Sequence, residues 1–174
     1  MPKLFALALT IFVLALIDTW LFGLGALVNL HLQVWMSFIA WGVHFMAGGK
    51  VQGVKASAIC MSFGALVGMC AAIVAGGVLS GLGALAAPVA VGVGAAVIVL
   101  ASKVPLLETI PAGFYGFAAV FALIGLGSLA PTAAILPTIL SVVIGSAFGY
   151  VSEIVTDLLT KKDIALEPGV GKPA

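Results

Sequence analysis

"AGGKVQGVKA", residues 47–56, is a short polar break in a chain that is otherwise almost uniformly apolar. Two lysines, Lys50 and Lys55, stand in it among glycines, although the whole chain has only seven cationic side chains. Of its 174 residues, 63% are hydrophobic and 7% charged, and the mean hydropathy is +1.33. Soluble domains carry about 25% charged residues, so too few charges are present to cover a water-facing surface. The chain reads as an all-α integral membrane protein, and the break reads as a turn between two of its helices.

Outward from the break, charge-free stretches act as rulers. Asp18 is the only charged residue from Leu4 to Gly49, and none occurs from Ala56 to Ser102 or from Thr109 to Ser152. A helix needs about 20 residues to cross a bilayer core, so each stretch holds two crossings and a turn. Glycine and proline place the turns, giving expected spans 4–22, 32–47, 56–77, 85–102, 109–127 and 132–157. Pro111 falls in a first helical turn, where its missing N–H costs little, and Pro137 is expected to bend the last span. The opening run MPKLFALALTIFVLALIDTW is too long for a signal-peptide core and lacks a small-residue cleavage pattern, so it reads as the first span. Residues 158–174 read as a flexible cytoplasmic tail.

Six spans explain the lysines. Loops then alternate between two faces, and Lys3, Lys50, Lys55, Lys103, Lys161, Lys162 and Lys172 all fall on the face of the termini. The other three loops carry none. Positive charge is retained on the cytoplasmic side, so both termini are expected there, with Lys50 and Lys55 as orientation anchors. Trp20 and Trp35 bracket the first outer loop, as an interfacial aromatic belt does.

The two halves of the chain resemble each other. "FIAWGVHF" (38–45) and "FYGFAAVF" (114–121) match at an offset of 76, pairing Phe38 with Phe114, Trp41 with Phe117 and Phe45 with Phe121. "GALVG" (64–68) and "GSAFG" (145–149) match at an offset of 81. Each half holds three spans, an odd number, so the second half is inverted relative to the first, as in many channels and transporters. On a helix each aromatic set falls within about 60°. The stripes either form an apolar constriction that admits a small solute and resists ions by dewetting, or pack against neighbouring helices and lipid. Gly64, Gly68, Gly145 and Gly149 read as helix-packing positions where backbones approach closely.

Polar residues inside spans are few. Asp18 is costly in a span and such residues usually face a bundle interior or a cavity, unless they snorkel to the interface. His44 lies one turn from the cytoplasmic end of its span, beside the aromatic stripe, as a gate, a proton sensor or a satisfied interfacial histidine. Glu108 stands at a helix start, where the helix dipole favours a carboxylate. Glu153 and Asp157 read as a solvated face, Asp157 pairing with Lys161. Cys60 and Cys70, ten positions apart on one helix, are about 15 Å apart and cannot pair there; they offer no metal site, and no cofactor is implied.

These residues assemble no base, nucleophile and oxyanion donor, so the chain is not read as an enzyme. It has no arginine and no nucleic-acid surface. What is left is a passive channel or permease for a small neutral or weakly charged solute, or else a non-transporting accessory subunit of a membrane complex. A thin six-span bundle is expected to form a homo-oligomer within the lipid bilayer.

"VWMSFIAWGVHFMAGGKVQGVK" and "IPAGFYGFAAVFA…SVVIGSAFGYV" resemble the YcdZ-like family of small bacterial inner-membrane proteins, grouped as domain of unknown function 1097. The similarity covers residues 17 to 152, through the pattern ending in Phe45, the Gly-Gly turn, Pro111, Gly116, Phe121 and Phe148-Gly149-Tyr150. His44 falls where one member of that family has an aromatic residue, so the resemblance implies no histidine-based mechanism. The resemblance implies a six-span protein of the inner (plasma) membrane and supplies no activity or site residues.

Overall fold

Residues 2–164 are described in the structure, a computed structural model, with side chains to residue 160. They form helices and turns, with no strand among the described residues. The principal helices are α1 (Lys3–Phe22), α2 (Val34–Met46), α3 (Lys50–Gly76), α4 (Ala86–Ala101), α5 (Ile110–Gly125) and α6 (Pro131–Ile164). A short helix, Gly25–Asn29, lies between α1 and α2, and a 3-10 turn, Ser80–Leu85, leads into α4. Four helices are long and apolar enough to cross a membrane: α1, α3, α4 with its entry turn, and α6. Helices α2 and α5 are apolar but shorter, at 13 and 16 residues.

Two boundaries differ from the sequence expectation. The polar break is not a loop to residue 55, because α3 already begins at Lys50. Gly48 and Gly49 take φ of 92° and 71°, which glycine reaches without a side-chain clash, and Lys50 follows at φ 50°. The reversal is thus completed in the glycines, and α3 continues through a π-type turn at Lys55–Cys60. At the other boundary, α6 runs on to Ile164 with Pro137 inside it, so 158–164 are helical. The remaining part of the expected tail, 165–174, lies outside the described residues, as does the side chain of Lys161.

Packing is organised by glycine. Along the α2–α6 contact, a Cβ on Gly145 would overlap the backbone of Ser37, and one on Gly149 would meet the His44 side chain at 2.7 Å. Along the α3–α5 contact, a Cβ on Gly64 would overlap the backbone of Gly113, and one on Gly68 would meet Val120 at 2.6 Å. Small residues let the backbones touch, which raises dispersion contact where lipid supplies no hydrophobic drive. Helix α1 lies along α6 and α4 along α3.

Polar side chains define the ends of the bundle. Lys3 Nζ is 3.9 Å from Asp157 Oδ1, the Lys50 N–H donates to Glu153 at 2.6 Å, and Gln52 donates to Glu108. The start of α1, the start of α3, the segment before α5 and the late turns of α6 therefore meet at one end, called here the lysine end. Exposed Trp20 and Trp35 mark the opposite end.

Candidate functional site

The buried polar groups concentrate along one seam, where α1, α2 and α6 meet. Helix α1 buries Ala6, Thr10, Asp18 and Phe22, a single stripe at helical spacing. Asp18 is 0% exposed. Ser37 Oγ lies 2.9 Å from its Oδ2 and 3.1 Å from its Oδ1. Ser37 is buried too, because Gly145 brings the α6 backbone against it.

Toward the lysine end the seam stays polar. Trp41 donates its indole N–H to Ser152 Oγ at 3.1 Å, and Ser57 donates to Ser146 at 2.6 Å. His44, 0% exposed, sits with Nε2 3.2 Å from Glu153 Oε2. Its imidazole fits because Gly53 and Gly149 have no Cβ to fill the slot. Glu153 also accepts the Lys50 N–H, so one carboxylate joins α2, the glycine turn and α6. Buried polar atoms almost always have partners, yet among the described residues Thr10 Oγ1 and His44 Nδ1 have none. Both lie in this seam.

The seam has an open cleft at each end. At the lysine end a cleft of 270 Å³ is lined by Lys3, Leu7, Phe45, Gly49, Glu153 and Asp157, among others. At the opposite end a cleft of 460 Å³ is lined by Thr19, Phe22, His31, Leu32, Gln33 and Val34, among others. Between them Thr10, Asp18, Ser37 and His44 are closed off from the surface. The contact of α3, α4 and α5 is apolar: Phe117, Ala71, Ala90 and Ile98 form one cluster, beside a 610 Å³ groove lined by residues such as Val67, Cys70 and Val93.

The sequence-derived candidates divide sharply. Asp18 and His44 fall in the same seam, at opposite ends. Glu108 precedes α5 without capping it: Thr109 is the N-cap, and Glu108 instead accepts from Gln52 of α3. Glu153 is not a freely solvated acid, since it is committed to His44 and Lys50. The two aromatic stripes do not face each other within a chain. Helix α2 spends its buried face on α6 and α5 spends its own on α3, which leaves Phe38, Phe45 and Phe114 exposed on the bundle surface. Trp41 stacks between Phe38 and Phe148, while Phe117 packs edge-on to Phe121 in a separate cluster. Gly64, Gly68, Gly145 and Gly149 all sit at helix contacts too close for a side chain.

Sequence reasoning missed the serines. Ser37, Ser57, Ser141, Ser146 and Ser152 are all buried and all hydrogen-bonded. The available signal was their register with Asp18 and His44: Ser37, Trp41 and His44 share one face of α2. No curated relative and no solved structure matches the chain. The family model described as protein of unknown function (DUF1097) matches residues 8–157, and the chain belongs to that family.

Proposed function

We propose that the protein crosses its membrane six times as two inverted three-helix repeats, with both termini cytoplasmic, and acts as a permease for a small neutral or weakly charged solute. The repeat is supported by contacts that recur at the offsets found in the sequence. Gly64 meets Gly113 as Gly145 meets Ser37, and Gly68 meets Val120 as Gly149 meets His44. Each pair maps onto its counterpart by adding 81 to the α3 residue and subtracting 76 from the α5 residue. Asp18 against Ser37 corresponds to Ile98 against Gly113 when α1 is matched to α4 at a third offset, 80, and α2 to α5 at 76. Shared ancestry of the halves accounts for such register more simply than chance packing does. The lysine end, holding the start of α1 and the late turns of α6, supports a cytoplasmic placement by the positive-inside rule.

One observation carries the transport reading: the α1–α2–α6 seam is polar, closed in the middle and cleft at both ends. Burying a carboxylate in a span is expensive, and intramembrane ionisable groups mark substrate and ion pathways. Its counterpart in the other half is apolar, so packing alone does not require Asp18, His44 or Glu153. A closed seam between two clefts is what an occluded state of an inverted-repeat permease looks like. The path therefore runs beside α1 rather than between the aromatic stripes, and Phe45 contributes as a wall of the lysine-end cleft.

Purified protein in liposomes tests this by light-scattering shrink–swell flux over a panel of small neutral and weakly charged solutes. Flux of one or more solutes that falls on substitution of Trp41 supports the permease. No flux for any solute, together with a stoichiometric membrane partner on pull-down, would establish the accessory-subunit reading instead.

A further inference from the structure

We infer that Asp18 is a proton-binding site, reached from the cleft at the end opposite the lysines, and that its proton is what allows the seam to close. The geometry distinguishes the two forms of the carboxyl. As a neutral acid, Asp18 donates from Oδ2 to Ser37 Oγ, and Ser37 donates back to Oδ1, so both short contacts are satisfied at once. As an anion it has two buried oxygens and one donor, the single hydroxyl proton of Ser37. No ion pair to Asp18 exists among the described residues. Lys3, on the same helix, is about 22 Å away along the axis. His44, Glu153 and Asp157 belong to the lysine end of α2 and α6. Histidine His31, on the segment before α2, is the titratable group lining the nearer cleft.

Access follows from the register. Phe22 lies one turn beyond Asp18 on α1, and Gln33 lies one turn before Ser37. Both line the 460 Å³ cleft. Phe22 is 5% exposed, lines the cleft and stands one helical turn from the acid, and the proposed access route takes its ring as the layer between the two. A proton from cleft water joins Oδ2 when that layer parts, and it returns to the same water on release. The charge that appears on release favours water in the seam, which opposes closure. The inverted counterpart, Ile98 against Gly113, has nothing to titrate. The proton site stands on this geometry, and only its consequence for flux rests on the permease reading.

Infrared spectroscopy of the full chain in lipid nanodiscs at neutral pH reads the site directly. A neutral-carboxyl C=O band is expected in the wild type, shifted by ¹³C-aspartate labelling, altered in Ser37→Ala and absent in Asp18→Asn. In D₂O that band exchanges slowly, and Phe22→Ala accelerates the exchange several-fold. A labelled wild-type spectrum with no neutral aspartate band overturns the proposal even where a variant fails to fold. A band that exchanges at the same rate in Phe22→Ala overturns the access route. In liposomes, flux that varies with pH in the wild type and not in Asp18→Asn extends the result to transport. Absence of flux in both sinks the permease reading, and the infrared band still decides the proton site.

Discussion

Replacing Gly145 with alanine is the sharpest test of how the helices meet. The added methyl would lie 2.6 Å from the carbonyl carbon and from the Cα of Ser37, whereas carbon pairs rest at about 3.5–4.0 Å. Helix α6 must then retreat by about 1 Å, because the obstruction is backbone and cannot rotate away. Overpacking of this kind costs about 1–3 kcal/mol, and an immovable neighbour puts this site in the upper part, at about 3. Alanine returns about 0.5–1 kcal/mol of helix propensity, leaving a net loss of about 2 kcal/mol, or roughly 30-fold in the folding equilibrium. Gly64→Ala meets the same obstruction, because its methyl would lie 2.7 Å from the Gly113 carbonyl carbon. Gly42→Ala and Gly92→Ala are the controls, because nothing lies within 4 Å of either added atom; both are expected to gain a few tenths to about 1 kcal/mol. Reversible unfolding of the purified protein in mixed micelles measures all four. Should Gly145→Ala and Gly64→Ala match the controls, the close backbone approach is wrong, and the symmetry argued from it falls too.

Glu153→Ala removes the acceptor shared by His44 and the Lys50 N–H and is expected to cost about 1–3 kcal/mol. Hydrogen exchange should rise at residues 47–54, the glycine turn and the start of α3, with little change near Asp18. Asp18→Ala leaves the buried Ser37 hydroxyl without its partner and is expected to lower stability by about 1–3 kcal/mol, while Asp18→Asn, matching the neutral acid in shape, is expected to stay within about 0.5 kcal/mol of wild type; thermal unfolding monitored by circular dichroism distinguishes them. Cys70 is exposed on the apolar groove and Cys60 is buried with its Sγ 3.3 Å from the Leu106 carbonyl. A lipid-soluble maleimide should therefore label Cys70 and spare Cys60, as read by peptide mass spectrometry.

The helical architecture was largely written in the spacing of charge. Uncharged runs between lysines led to six expected spans; the described residues are helical, and four of their helices are long and apolar enough to cross a membrane. Glycine spacing was equally legible, since Gly64, Gly68, Gly145 and Gly149 could be read from sequence as close-contact positions. What could not be read was which face each helix turns inward. An aromatic stripe on α2 has the same spacing whether it faces a pore or lipid, and only the partner helix decides. The buried faces of α2 and α5 went to α6 and α3, partners distant in sequence, so Phe38 and Phe114 ended on the surface. Ser37 illustrates the same limit: a lone serine in an apolar run is featureless until α1 brings Asp18 against it. Glu153 looked like a solvated acid because the fold of the Gly48-Gly49 turn, which delivers the Lys50 N–H to it, is not visible in composition.

Cysteine accessibility along α1 tests most directly whether the seam is an aqueous path. In a background lacking Cys60 and Cys70, single cysteines at Leu7, Thr10, Asp18 and Phe22 sample the seam, and cysteines at Phe12 and Leu16 sample the exposed face. A permeation seam predicts that a water-soluble thiosulfonate reagent modifies the seam set in membranes and leaves the exposed, lipid-facing pair unmodified. Modification of Phe12 and Leu16 positions with the seam positions inert, or no reaction at any of them, would contradict it.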